Sequence, residues 1–268
     1  MEEIKYSVSR YKLQLDCLGK YYFRYIKNIE VEKLTWPGTI FGSSIHKYIE
    51  DNLQKIDEIK KLTDYKKYNL PPFIKYYQQE KNSQIANGFK IGKPRMFNED
   101  RLLADAEKWL PNIFRFLKNF LPKGQVLHED EINTMLEIND VKINNTSIID
   151  LQIIGEENKL WIFDFKNTKH PTNYFFINWQ EDPQSVSYLY FSKEKNPQSF
   201  SYIVFDIDDS MIFVNSTQMH DNVEELFHKM INNFILNHQM AEDSKLYNPS
   251  KEKCKWCEFN KHCKKAMR

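Results

Sequence analysis

The 268-residue chain predicts an α/β fold, a mixed central β-sheet flanked by helices. Three observations predict it. Apolar residues recur at spacings of three and four near both ends, strand-like runs cluster between about residues 125 and 215, and one helical stretch interrupts those runs. Helices, then strands, a helix, more strands and a closing helix is an order that a mixed sheet covered by helices accommodates. An apolar fraction of 41% and an aromatic fraction of 15% supply a sizeable core and exclude a disordered chain.

Taken in order, Ser7 or Ser9 caps a first helix whose stripe is Tyr11, Leu15, Leu18, Tyr22 and Tyr25. Cys17 falls near that stripe. The aromatic cluster at 21–25 reads as core ahead of a base-stacking platform. After Pro37 and Gly38 a second helix spans about 41–56, with His46, Ile49, Leu53 and Ile56 on its inward stripe. From 53 to 125 the pattern is helical but broken at Pro71-Pro72, Gly92-Lys93-Pro94 and Pro122, which reads as an insertion within one domain. Its clearest helix runs from about Glu99 to Phe120, kinked or split by Pro111. Strands are expected at about 125–138, 148–154, 160–166, 199–206 and 211–215, and helices near 182–193 and 221–240.

The strongest local signal is the hairpin between Ile148 and Lys166. Two apolar, β-branched or aromatic runs flank the polar turn 155–159. A register centred on residue 157 sets Asp150 opposite Asp164. Residues opposed across an antiparallel pair share a face, and alternation brings Lys166 to it as well. Neighbouring carboxylates repel unless a cation lies between them or one takes up a proton. The pair therefore calls for a metal. Lys166 beside Asp164 is equally able to form a plain ion pair.

The net charge of +1 gives no whole-molecule field for polyanions, but the charge is unevenly spread. Residues 53–125 hold 15 Lys+Arg against 8 Asp+Glu, and residues 126–164 hold 2 against 9. A basic insertion ahead of an acidic hub suits gripping a polyanion in one place and holding cations in another, although solvated helix faces have the same composition. The absence of a signal-peptide-like start or a membrane-length apolar run predicts a soluble, cytoplasmic protein. No phosphate-binding Gly-x-x-x-x-Gly-Lys-Ser/Thr loop is present, so any helicase motor belongs to a partner.

Four cysteines do not make a disulfide scaffold in a chain of this length. Cys254, Cys257 and Cys263 form a C-x2-C-x5-C group in a tail, 245–268, able to wrap one metal centre. The fourth ligand is Cys17, the only other cysteine, or the neighbouring His262. Cys17 would join the first helix to the tail by metal instead of by packing. Spacing alone leaves a structural zinc and an iron-sulfur cluster both open.

Five features in order resemble the RecB-type PD-(D/E)XK nucleases: Gly42-x-x-x-His46, Asp150, Asp164-x-Lys166, Gln184-x-x-x-Tyr188 and the cysteine set. Cys17 with Cys254, Cys257 and Cys263 is similar to the iron-sulfur branch, which includes AddB nuclease domains and CRISPR-associated exonucleases. The resemblance implies a restriction-endonuclease-like core making one nuclease domain over 1–268. It implies Mg2+ or Mn2+ held by His46, Asp150 and Asp164, with Lys166, Gln184 and Tyr188 completing the catalytic set. It also implies a 4Fe-4S cluster on the four cysteines. The expected activity is exonucleolytic hydrolysis of single-stranded DNA or DNA ends, in recombination, repair, phage replication or CRISPR adaptation, with helicase or adaptation proteins as partners. A non-catalytic DNA-binding subunit and a zinc-bearing interaction protein are the alternatives. The chain departs from the pattern at Leu18, Ser147 and Asp164, where the family often has Pro, Gly and Glu.

Overall fold

The computed structural model describes residues 3–53, 72–92, 99–168, 181–206, 211–243, 254 and 257–266. Within them a six-stranded mixed sheet is built from β1 (Glu3–Tyr6), β4 (Gln125–Ile138), β5 (Val141–Ile154), β6 (Leu160–Thr168), β7 (Pro197–Asp206) and β8 (Ile212–Gln218). The order is β1-β5-β6-β7-β8, with β4 paired to the other edge of β5. β5 and β6 are antiparallel, β6 and β7 parallel, and β7 and β8 antiparallel. A separate two-stranded parallel ribbon joins β2 (Leu34–Thr35) to β3 (Lys90–Ile91). The expected mixed sheet flanked by helices is what forms.

Two cores fill the two faces. On one, α1 (Val8–Asp16), α2 (Leu18–Tyr21), α6 (Pro183–Phe191) and α7 (Val223–Glu242) bury Tyr11, Tyr21, Leu189 and Phe234 against Leu160, Ile162, Phe200 and Val204. On the other, α3 (Pro37–Leu53), α4 (Phe73–Ala86) and α5 (Glu99–Phe120) cover Leu151, Phe163, Phe165 and Phe205. Alternate residues of β7 therefore enter different cores, as a strand buried on both faces requires.

Several expectations change. β1 was not expected; it lies parallel to the first half of β5, with Ile4 beside Ile143 and Tyr6 beside Asn145. β5 begins at Val141, seven residues earlier than expected. The first helix is not one amphipathic rod. Ser7 caps α1 through Arg10 N–H, but Cys17 is extended (φ −164°, ψ 109°) and resets the phase before α2 and a π-turn at Tyr22–Ile26. Of the expected stripe Tyr11, Leu18 and Tyr22 are buried and Leu15 is exposed, and Tyr21 and Phe23 are buried in addition. α5 spans Glu99–Phe120 as expected, yet Pro111 does not end it. Burial of Ala106, Leu110, Ile113 and Leu117 in the second core offsets a helix-interior proline penalty of about 3 kcal/mol. Ile56, Pro71, Lys93 and Pro94 lie outside the described residues.

The tail docks by packing and by ion pairs. A final short helix, α8 (Asn260–Ala266), follows Phe259, which is buried and stacks on Phe23 with ring centroids 6.0 Å apart. Glu258 pairs with Lys20 at 3.3 Å and with Arg24. Ring burial of this kind contributes about 2–3 kcal/mol, so packing joins the chain ends where the sequence pointed to metal instead of packing. Among the described residues no helix is long and apolar enough to cross a membrane.

The β4–β5 ribbon enters the sheet under tight backbone constraint. A Cβ at Gly124 would lie 2.2 Å from the Ile154 carbonyl oxygen and 2.9 Å from Gly155 Cα. Gly124→Ala is expected to destabilise the protein by about 1–3 kcal/mol, read as a lowered urea midpoint at unchanged slope. An unchanged midpoint would contradict the close approach.

Candidate active site

The hairpin register follows the sequence expectation. Leu151 pairs with Phe163, Gln152 with Ile162, Ile153 with Trp161 and Ile154 with Leu160. The ladder ends at Leu151–Phe163, and the same register carried one residue further would set Asp150 against Asp164. β4 occupies one edge of β5 along almost its whole length, so β1 and β6 share the other edge, at 142–145 and 151–154. Between them, at 146–150, the edge is open to side chains. Asp150 Oδ2 accepts the Phe165 backbone N–H at 2.9 Å, and the Tyr188 hydroxyl donates to the Ile148 carbonyl at 2.5 Å. The strands separate, and polar side chains take over from backbone partners.

The expected site residues gather around this opening. Asp164 is only 1% exposed. Its Oδ1 accepts from Gln184 Nε2, and its Oδ2 pairs with the Lys166 ammonium. Gln184 Nε2 also lies 3.1 Å from the Tyr188 hydroxyl, as expected for residues one turn apart on α6. From the opposite face α3 brings His46, whose Nδ1 is 3.5 Å from Asp150 Oδ2. A Cβ at Gly42, one turn earlier, would be 3.7 Å from Asn167 Nδ2, which shows how near α3 passes to the end of β6. His46 is not inward as expected: its side chain is 30% exposed, and Ile45 takes the buried position.

Burial dominates the electrostatics. It raises the Asp164 carboxyl to about 6, with Asp150 pushing the same way and Lys166 and His46 opposing. Burial likewise raises the Tyr188 phenol, with Asp164 and Asp150 adding to the effect. A buried carboxylate held this far above its ordinary range favours gaining either a proton or a cation. Two carboxylates and an imidazole are suitable ligand types for Mg2+ or Mn2+. The donor set therefore fits such an ion by its chemistry. Among the described residues, however, no three His, Cys, Asp or Glu side chains stand ready-placed around a metal position.

Sequence reasoning missed four neighbours. Tyr202 on β7 lies beside Asp164 in the parallel register, with Lys166 Nζ 5.6 Å from its ring centroid. Asp182 caps α6 through Gln184 N–H and receives the Tyr202 hydroxyl at 2.7 Å. The Asp182-Pro183 pair is a helix-start signal that could have singled it out. Glu50 and His128 line a small cavity with His46, Asp150 and Phe165. His128 Nε2 is buried without a hydrogen-bond partner, and burial lowers its pKa. Glu131, also on β4, is exposed and accepts from Asn133; the Glu129 side chain lies outside the described residues.

The cysteines meet at the other end of α1. A Cβ at Gly19 would be 3.8 Å from Cys17 Sγ and 3.9 Å from Cys263 Sγ. Burial raises the Cys263 thiol, and Cys17, Cys254 and Cys257 raise it further, so all four thiols lie within electrostatic reach. The four thiols suit a thiolate-held metal centre by their chemistry, without distinguishing zinc from iron-sulfur, but among the described residues no three of them stand placed around a metal position.

The family model described as the PD-(D/E)XK nuclease superfamily matches residues 5–264. No curated protein is significantly similar. A solved structure described as "Crystal structure of SSO0001" is 11% identical over 91% of each chain, with a TM-score of 0.39, a likeness too slight to bear on function.

Asp164 has a sign-specific consequence for stability in metal-free protein. Its folded pKa of about 6 exceeds the ordinary 3.8, so its stabilising contribution is complete below about pH 4 and is lost as pH rises through 6. The loss is roughly 1–3 kcal/mol. Asp164→Asn is expected to remove this component, so the stability advantage of wild type over the variant should shrink between pH 4 and 7. Parallel pH profiles from chemical denaturation would contradict it.

Proposed function

The chain belongs to the PD-(D/E)XK nuclease superfamily, and from that premise we propose that it is a metal-dependent DNA exonuclease acting on single strands or DNA ends. Superfamily members are nucleases, hydrolysing phosphodiester bonds and generally using Mg2+ or Mn2+, and the helix-flanked mixed sheet is consistent with their restriction-endonuclease-like fold. The observation that carries the reading is the meeting of Asp150, Asp164, Lys166 and His46 where β5 and β6 part.

His46, Asp150 and Asp164 would hold the divalent cation. The chemistry such an ion supplies when bound is Lewis-acid stabilisation of the phosphate and activation of water. Lys166 carries its charge to the mouth of the site, where its Nζ can neutralise a phosphate oxygen or orient the attacking water. Gln184 anchors one oxygen of Asp164, and Tyr188 fixes the β5 backbone beside Asp150. The hydrophobic cores on both faces of the sheet shield Asp164 from water and strengthen its interactions.

The proposal extends to a single nuclease domain over 1–268, with 53–125 as an insertion and 245–268 as a tail joined to Cys17 by a 4Fe-4S cluster on Cys17, Cys254, Cys257 and Cys263. The clustered thiols support a metal centre, and the resemblance to the iron-sulfur branch selects the cluster over zinc. The setting is cytoplasmic DNA recombination, repair, phage replication or CRISPR adaptation, with any motor supplied by a partner.

End-labelled single- and double-stranded DNA, incubated with Mg2+ or Mn2+, tests the reaction. Lys166→Ala is expected to reduce cleavage by about 10²–10³-fold while circular dichroism stays unchanged. Full activity of a clean Lys166→Ala preparation would sink the site. Anaerobically purified protein should contain iron and sulfide, both lost in Cys263→Ser; zinc without iron would overturn the cluster assignment.

A further inference from the structure

One cavity outside the carboxylate site is lined for an anion. It has a volume of about 590 Å³ and is bordered by Lys5, Tyr6, Ser7 and Arg10 where β1 passes into α1, and by Asn133, Asn144 and Thr146 on the β4–β5 ribbon. Among the described residues that line it, two are cationic and none is acidic. Arg10 is held in place: its guanidinium lies 4.1 Å from the Tyr25 ring centroid and donates to the Lys5 carbonyl at 3.4 Å. A guanidinium fixed in this way keeps its remaining donors for phosphate oxygens at little further loss of entropy. Its place in the sequence does not favour the resting fold, because a cation in a first helical turn opposes the helix dipole, and α1 has no acidic residue there to offset it. A bound anion reverses the sign of that interaction.

The cavity is continuous with the active site along one strand. Exposure alternates along β5 from Lys142 to Asp150, so Asn144, Thr146, Ile148 and Asp150 share a face. Thr146 stands about 13 Å from Asp150 along the strand, a span of about four stacked nucleotides. The edge between them is the one that neither β1 nor β6 covers. The other edge carries β4, whose Glu131 stands opposite Ile148 and repels a polyanion, so charge favours the open edge as the route. Ile148 is 53% exposed midway, an apolar step against which bases can pack. Glu3, on the same face of β1 as Lys5, lies on the side away from Asp150 and accepts from Asn144.

We propose that Lys5 and Arg10 form a subsite for a backbone phosphate of the DNA strand, about four nucleotides from the bond cleaved at Asp150 and Asp164. The proposal rests on the reading of those carboxylates as the hydrolytic site. It extends that site by a second anchor point, so that a strand is held along the open edge of β5 between the two.

Fluorescence anisotropy of a labelled oligothymidylate in EDTA, where nothing is cleaved, reads the subsite directly. Lys5→Gln combined with Arg10→Gln is expected to weaken binding by about 10-fold and to lower the salt slope by about 1. Lys142→Gln, which removes an exposed cation of the same ribbon outside the cavity, should change affinity by less than about twofold. If the double variant lowers stability, Thr146→Asp decides. It sets a carboxylate in the cavity without touching α1, and is expected to weaken binding by about 10-fold as well. Losses under twofold in both, or an equal loss in Lys142→Gln, would overturn the subsite. Lys166→Ala separates the two readings. Retained cleavage there removes the hydrolytic site itself, whereas lost cleavage there, with binding indifferent to Lys5, Arg10 and Thr146, removes only the subsite.

Discussion

The site depends on the interruption of one β-ladder. An antiparallel pair satisfies its backbone groups through its partner, and a buried group left without one costs about 1–3 kcal/mol. Beyond Leu151 and Phe163 that exchange gives way to side chains: a carboxylate receives the Phe165 N–H, and a phenol serves the Ile148 carbonyl. The opening persists because β5 is held from behind. β4 pairs with it from Val141 to Ile154, and β1 secures its far half. A gap in a two-stranded hairpin would collapse or slip; the same gap in a strand clamped along its other edge keeps its shape. Function and topology thus meet at Asp150.

Two cores closing on a split sheet explain the electrostatics. Phe163 and Phe165 shield one side, and Ile162, Phe200 and Tyr202 the other. Asp164 is left with almost no water and with a proton affinity far above that of a solvated aspartate. Lys166 opposes this without cancelling it, because its own side chain remains one-third exposed and hydrated. An incompletely compensated buried carboxylate is a stability cost that a folded protein retains where a cation or substrate later compensates it. The arrangement is better suited to holding charge during a reaction than to stabilising the resting fold.

The hairpin was legible because its turn chemistry and alternation agree, and a register fixed by a turn carries Asp150, Asp164 and Lys166 with it. Gln184 and Tyr188 were legible for a similar local reason, one helical turn. The first half of β5 was not. Two of its buried positions are Asn145 and Ser147, polar residues that break the apolar alternation and satisfy each other and the Ile132 carbonyl instead. β1 is only four residues long and pairs in parallel with a strand more than 130 residues away, so no local pattern announces it. Tyr202 escaped notice for the same reason: a parallel neighbour has no turn to set its register. The Cys17 break was hidden by a stripe of continuous helical spacing, because Leu18 and Tyr22 stay buried on both sides of what the extended backbone at Cys17 interrupts. Local patterns were readable where sequence neighbours interact, and failed where distant segments decide burial.

Asp182 links this site to the far end of the chain. It caps α6, receives Tyr202 and pairs with Lys12 at 3.1 Å. Lys12 lies on α1, and α1 ends at Cys17, where the tail docks through Phe259 and the gathered thiols. Five residues of helix separate the two anchors, a rise of about 7–8 Å. A helix this short is stable only through tertiary contacts, because an isolated helix of nine residues is marginal in water. Its C-terminal end runs directly into the segment on which the tail packs, at Lys20, Phe23 and Arg24, and its other turn carries Lys12 to Asp182. Tail and site are thus connected along one short path, through α2, α1 and the Lys12–Asp182 pair.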